Sequence, residues 1–484
     1  MNSLEQPMAE MSVSKQTITS PALDWSPKKL THESLVYQKI NVINGVNSAT
    51  ISNNSTQGAF SFQIPAKVMS LKESFIALDL ALTYPSGTAV LDGNLGNIFS
   101  RVVISTDSGV VLADINDFHR YSSMLVPAST KYDDVCDGTF SGFDTFETTS
   151  LAIARTVPLS NIQKSNNSNL NGGYIYDGAV PPVASLSPAV NRVRGEVTAT
   201  HPIDANAGSL RHLFMSETIT TAGYASYQFR LKDLLPYTIA SMDQLLFFGG
   251  QQIQIDLYLN GIDYIGYKGA TPALAGSIAS LTSIAMTNLS FFLAVESNVK
   301  TIDAVIQKVK TEGVKLRFPY VYGSKTSISA STSQSVNQVI TRTSGARLLW
   351  VAYSPYLTTS TADLVNSHNV VAIDNYTTTL DNVNIKSQSS IDVDRGEQWI
   401  YNRSILKGSC VRGLNDLSND FVDFTSYIGR PICDFDVSVE DGLPLNENHT
   451  WGVNAVTTST ALTHHIYYCM SRELVLQNFS VQVI

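Results

Sequence analysis

Charge is scarce in this chain. Asp, Glu, Lys and Arg make up 15% of its 484 residues, against roughly 25% in an average soluble domain. The polar surface must then come largely from Ser, Thr, Asn and Gln, which suits a β-rich protein with long loops or one partly covered by neighbours. The charge that exists runs negative, -9 at pH 7 with an isoelectric point near 5.4. Such a chain has no basic face with which to wrap nucleic acid, so tight direct nucleic-acid binding is not expected. Cysteine is sparse as well. Cys136, Cys410, Cys433 and Cys469 are too few and too widely spaced for a disulfide framework, and reduced, buried thiols are the expectation.

Targeting signals are missing too. The opening MNSLEQPMAEMSVSK has no apolar run and carries Glu5 and Glu10, so it does not read as a secretory signal. Gly269 to Val295 holds no charged residue and is long enough to span a bilayer, but Thr, Ser, Asn and Pro interrupt it. Its second half, Ile284 to Val295, reads as a buried strand. Without a signal, the Asn-x-Ser/Thr triplets at Asn54, Asn288, Asn375, Asn402 and Asn448 follow from composition rather than glycosylation.

Catalytic signatures are absent in the same way: no phosphate loop, no H-E-x-x-H, no C-x-x-C and no G-x-S-x-G elbow. Three weaker groups remain. His464, His465 and Cys469 lie close together, and on a strand His465 and Cys469 share a face, but one strand supplies only half of a zinc ligand set. Asp392-Val-Asp394-Arg395-Gly396-Glu397 clusters carboxylates at a tight turn as a calcium loop does, yet no Glu stands at the twelfth position and no helices flank it. Phe318, Tyr320 and Tyr322 fit a carbohydrate groove, although packing is the commoner use of such rings. The expectation is therefore no catalytic residue, no cofactor and no metal. A paired-carboxylate glycosidase has no placeable pair here.

What the chain does have is hydrophobic content, 43%, enough for a sizeable core. It is arranged mostly at strand period. Residues before about 35 show no period and hold Pro7, Pro21 and Pro27. In Ser74–Thr83, Ile76, Leu78, Leu80 and Leu82 fall on one face, ended by Tyr84-Pro85-Ser86-Gly87. Arg101–Thr106 and Val110–Ala113 flank Asp107-Ser108-Gly109 as a hairpin. Ile115, Phe118, Ser122 and Leu125 then recur at helical spacing, with Asp114 as the expected N-cap. Residues 126–222 are rich in Asn, Ser, Gly and Pro and read as loops. Alternation returns at Tyr227, Phe229 and Leu231, and at Ile253, Ile255, Leu257 and Leu259.

One stretch changes period. Ile302, Val305, Ile306 and Val309 predict a helix over Thr301–Thr311, with Thr301 as N-cap and Gly313 past its end. Strands resume at Val314–Phe318, and at Arg347–Tyr353, halted by Ser354-Pro355. The tail adds Cys433–Val439, His464–Met470 and Leu474–Ile484. The economical architecture is all-β, two sandwiches joined by one short helix.

This order of elements resembles the double jelly-roll major capsid proteins of the adenovirus–polinton lineage, especially those of polinton-like viruses and virophages. The stretches that carry it are Phe62–Pro65, Ser70–Pro85, Asn97–Leu125, Tyr227–Leu259 and the helix at Thr301–Thr311. The resemblance implies an N-terminal arm at 1–34, a first eight-stranded jelly roll with long loop insertions at 35–296, and a linker helix with a second at 297–484. It also implies a non-enzymatic virion protein assembled inside the host cell. Homotrimeric, pseudo-hexagonal capsomers would tile an icosahedral shell beside penton and minor or cement proteins, with an internal membrane in several relatives. The alternative class is a non-enzymatic β-sandwich carbohydrate-binding or adhesin protein.

Overall fold

The computed structural model describes residues 34–52, 58–83, 88–91, 95–129, 213–216, 225–264, 283–357, 373–385, 387–392, 432–434, 442–477 and 480–483. Residues 1–33 of the expected 1–34 arm, most of the expected 126–222 loops and Val393–Glu397 lie outside the described residues; within 126–222 the structure corrects the loop expectation at 126–129, which are helical, and at Leu213–Ser216, which is a strand.

In chain order the first half contributes β1 (Leu35–Ile40), β2 (Ala49–Ile51), β3 (Ala59–Ile64), β4 (Met69–Thr83), β5 (Thr88–Leu91), β6 (Phe99–Thr106) and β7 (Val111–Asn116). Helix α1 (Phe118–Ser129), β8 (Leu213–Ser216), β9 (Ala225–Arg230), the single turn α2 (Leu231–Leu234), β10 (Ile253–Leu259) and β11 (Ser283–Glu296) follow. After α3 (Val299–Gln307) come β12 (Val314–Ile340), β13 (Arg347–Leu357), β14 (Ile373–Leu380), β15 (Val383–Asn384), β16 (Ile391–Asp392), β17 (Ile432–Asp434), β18 (Leu443–Pro444), β19 (His449–Gln477) and β20 (Ser480–Val483).

Period-two alternation decides which face each strand buries. Ile253, Ile255, Leu257 and Leu259 of β10 are fully buried while Gln254 is exposed, and Ile76, Leu78 and Leu80 of β4 do the same. Phe62 meets Phe291 across the first sandwich with ring centroids 5.8 Å apart. Numbering β1, β3, β4, β6, β7, β9, β10 and β11 as positions one to eight, one sheet runs 1-8-3-6 and the other 2-7-4-5. This is the jelly-roll order, in which strands far apart in sequence become neighbours. No ladder among the described strands joins β1–β11 to β12–β20.

The second sandwich reaches the same order by another route. β12 and β19 pair antiparallel along their whole length, from Val314↔Leu476 to Ile340↔His449, with the register broken between Ile328 and Ser333. At that break the two-stranded ribbon folds over on itself. Ser324, before the bend, hydrogen-bonds Gln338, after it, at 2.5 Å. The near half of the ribbon pairs β13 through Arg347↔Ser471 to Leu357↔Leu462, and β17 lies beyond β13. The far half pairs β14 through Ile373↔Thr457 to Leu380↔Trp451, with β15 and β16 beyond. Two bent strands thus fill four of the eight jelly-roll positions. Such corners arise where strands switch sheets at a bulge.

Three expectations are corrected in detail. Asp114 sits within β7 and forms a bidentate pair with Arg101 at 2.7–2.8 Å; the residue before α1 is Asp117, whose carbonyl accepts from Arg120 and Tyr121. Helix α3 begins earlier than Thr301, because the Asn298 side chain accepts from the Lys300 N–H at 3.0 Å and so caps the first turn. It widens into a π-type turn at Lys308–Glu312 and stops at Gly313, with φ +74°. Ser354-Pro355 does not halt β13. Pairing with β17 ends at Tyr353, so Pro355 lies where one side of the strand has no described ladder and its missing N–H costs nothing.

The bend is held by a closed set of hydrogen bonds around His464, which is fully buried. Gln334 donates its amide N–H groups to the Thr460 and Ser331 carbonyls, leaving its oxygen to accept from His464 Nε2 at 2.6 Å. That arrangement makes His464 Nδ1 an acceptor, and the Tyr353 hydroxyl donates to it at 2.7 Å. Burial holds the imidazole neutral, with its pKa pushed down to about 4. Thr457 Oγ1 donates to the Ser331 carbonyl at the same corner. Tyr353→Phe leaves a dry imidazole acceptor without a donor, and should cost about 1–3 kcal/mol. Differential scanning calorimetry checks this: an unchanged melting temperature would mean that the hydroxyl does not hold the corner.

Candidate functional site

The residue groups singled out on chemical grounds land in different places. His464 belongs to the bend. His465 and Cys469 do share the other face of β19, but that face packs against the first sandwich rather than around an open site. Asp392 ends β16, half-buried, while Val393–Glu397 lie outside the described residues. Phe318, Tyr320 and Tyr322 stand ring to ring along one face of β12, with centroids 6.3 and 4.8 Å apart, and Tyr322 stacks on Tyr468 at 5.4 Å. Phe318 and Tyr320 are buried, so the row is a packed ladder with one open end and not a groove. Among the described residues no three His, Cys, Asp or Glu side chains converge as a metal ion would need. No described helix is long and apolar enough to cross a membrane.

The most chemically concentrated place in the molecule is the seam between the sandwiches. The first sandwich contributes α1 and the turns at Asp117 and Tyr237, both held at positive φ, 49° and 59°. The second contributes β12, β13 and the outward face of β19. Tyr467 reaches across to donate its hydroxyl to the Asp117 carbonyl at 3.0 Å, and its ring meets Tyr121 edge to face at 5.7 Å. Lys325 pairs with the Asp117 carboxylate at 2.9 Å. The Arg120 guanidinium lies 3.7 Å above the Tyr356 ring, which in turn meets His465. Trp350 packs edge-on against Tyr237 at 4.8 Å, beside Cys469, a free thiol.

This environment sets the protonation states. Burial raises the Tyr467 phenol and the Cys469 thiol well above their ordinary ranges, so both stay neutral. Burial, then the nearby cations Arg120 and Lys325, pushes His465 down to about 3. His119 is likewise held well below the ordinary imidazole value by burial and Arg120. These are conditions for a packed contact in which the phenol, the thiol and both imidazoles stay uncharged beside the Arg120 and Lys325 cations. A nucleophile or general base would need the opposite treatment.

Sequence reasoning missed Asp117, Arg120, Lys325 and Tyr467 as a group. Lys325 and Asp117 are 208 residues apart, and no local spacing announces their meeting.

The outer face of the β1-β11-β4-β9 sheet carries a second feature. Phe75 and Phe292 stack at 4.7 Å and Tyr37 meets Phe75 at 5.4 Å, giving an aromatic row across three strands. Tyr37 is 50% exposed and its neighbour Val36 57%, on a strand at the end of its sheet.

No family model and no curated protein matches the chain. Solved structures match it in fold. A chain of the Sputnik virophage structure aligns with TM-score 0.53 at 12% identity, over 96% of this chain and 92% of that one. The mavirus major capsid protein aligns with TM-score 0.48 at 10% identity, over 96% and 94%. A chain of the Sulfolobus turreted icosahedral virus aligns with TM-score 0.43 at 9% identity, over 90% of each. The Sputnik alignment, spanning nearly the whole of both chains, agrees with the strand order above: the chain has the all-β double jelly-roll fold.

Gly323 makes the seam's central contact possible. It pairs with Tyr467, and a Cβ there would stand 2.6 Å from the Tyr467 ring. Because the ring is held at its hydroxyl by the Asp117 carbonyl, it has no easy retreat. Gly323→Ala should therefore lose about 1–3 kcal/mol, read as a lower midpoint in urea unfolding, and adding Tyr467→Phe should recover part of it. A midpoint equal to the parent's would show that the ring is free to move aside.

Proposed function

We propose that this protein is the major capsid subunit of an icosahedral virus and acts structurally, without catalysis. The observation that carries the reading is the repeated architecture. One chain holds two sandwiches of the same 1-8-3-6 and 2-7-4-5 order, and the chain from the virophage particle shares that fold over nearly its full length. Residues 35–296 and 297–484 are taken as the two rolls, with α3 as the link. Three copies would then present six similar sandwiches around a three-fold axis, and closed cyclic symmetry lets one chain cover its own flanks.

The surface supports this use. Charge is 15% of the residues, and the exposed row at Val36 and Tyr37 ends a sheet, where unpaired edges invite pairing unless covered. Penton and minor capsid proteins, and in some particles an internal membrane, are the partners such a shell requires. The virion is the place where the subunit works.

Light scattering on the purified chain should give a stable trimer near three times 52.6 kDa that resists dilution. A monodisperse monomer at micromolar concentration would overturn the capsomer reading. With a net charge of -9 the subunit has few phosphate contacts to offer, so filter binding near 0.15 M salt should detect no tight duplex DNA complex. Submicromolar affinity there would require a basic face that the composition does not supply.

A further inference from the structure

We propose that the seam between the two sandwiches is an acid-sensitive joint: protonation of His119 and His465 loosens the contact between the rolls while the ladders within each roll stay paired. The geometry concentrates cations. His119 and Arg120 come from α1 and His465 from β19, all three buried, and Lys325 from β12 stands at their exposed rim. Facing them are the Asp117 carboxylate, already paired with Lys325, and the rings of Tyr264, Tyr356 and Tyr467. His464 lies behind His465, on the opposite face of β19 and within the bend.

His119 is the weak point. It is 7% exposed, its ring lies 4.5 Å from Tyr264, and its Nδ1 has no hydrogen-bond partner. An imidazolium there would carry a donor with nothing to receive it, beside the Arg120 guanidinium. His465 is boxed in by Tyr356 and the same guanidinium. With both rings neutral, the described residues of this cluster hold two cations, Arg120 and Lys325, and one carboxylate, Asp117. Adding two protons doubles the cations and adds no anion. Opening the seam returns both rings to water, where they take up protons at the ordinary imidazole value, about 6.5.

The sign follows from linkage. Above about pH 6.5 the rings are neutral whether the seam is closed or open, and pH has no effect. Below it the open form binds protons that the closed form refuses. The opening constant therefore rises about tenfold per histidine per pH unit. For His465 the rise continues down to its closed-state value of about 3. The joint stands on the subunit's own geometry, whether or not the chain builds a shell. In a shell it would let an acidic compartment relax each subunit without unpairing its strands.

Hydrogen exchange of the full chain, followed by mass spectrometry at pH 7.5, 6.5, 5.5 and 4.5 and corrected for intrinsic rates, tests this. Protection in 116–129 and 463–470 should fall at least tenfold between pH 6.5 and 5.5, while 253–259 and 373–380 keep theirs. The double variant His119→Gln/His465→Gln should flatten that dependence. Seam protection that is independent of pH would overturn the proposal. So would an equal loss in all four segments, which would mean global acid unfolding, or a His119→Gln/His465→Gln variant that keeps the parent's pH dependence.

Discussion

β19 must be buried on both faces at once. From His464 to Met470 no side chain is more than 6% exposed. Its even-numbered positions point into the second sandwich, where His464 meets Tyr353 and Gln334. Its odd-numbered positions point at the first sandwich, where Tyr467 meets Asp117 and Cys469 meets the Tyr237 carbonyl. A strand normally has one face to give to a core and one to water. Here the second face is given to a neighbouring domain, so a one-residue slip would exchange the core set with the seam set. The bend, the seam and the relation of the two rolls all depend on that register being kept.

Much of this architecture was legible in local periodicity. Alternation at Ile76–Leu80 and Ile253–Leu259 located strands and their buried faces, because those strands keep one face in a core and obey period two. The ending of α3 was legible because Gly313 takes a positive φ. The helix starts were harder. Asp114 and Thr301 are good caps in isolation, but Asp114 is claimed by Arg101 across a ladder and Asn298 stands one turn ahead of Thr301. Tertiary pairing outranked the local signal in the first case, and a competing cap did so in the second.

The site itself was not legible. The run HHIYYCM invited a ligand reading because it puts two histidines and a thiol close together. A strand buried on both faces explains the same letters: imidazoles and phenols fill space, and their polar ends find partners wherever the two sides differ. The partners lie more than a hundred residues away, as with Gln334 for His464 and Asn116 for Tyr467. Periodicity assigns a face to a residue but is silent on what covers that face.

The two rolls reach one pairing order by different means, and the difference has a kinetic consequence. In the first, positions one and eight are separate strands, β1 and β11, with Leu35 opposite Glu296. In the second, β12 and β19 each supply two positions, so one ribbon carries both sheets. The ladder of either roll closes a loop of more than a hundred residues, and such non-local pairing is slow because chain entropy is lost before contacts repay it. The ribbon lessens the problem in the second roll. Once Ile340 has met His449, every later pair along the two strands closes only a small increment of loop, and the bend at Ser331 brings the second sheet into place by local folding. The first roll has no such zipper: its eight positions are separate strands, each of which must find its place. Assembly of the second roll first, with the outward face of β19 then serving as a template for α1, is the order that the connectivity favours.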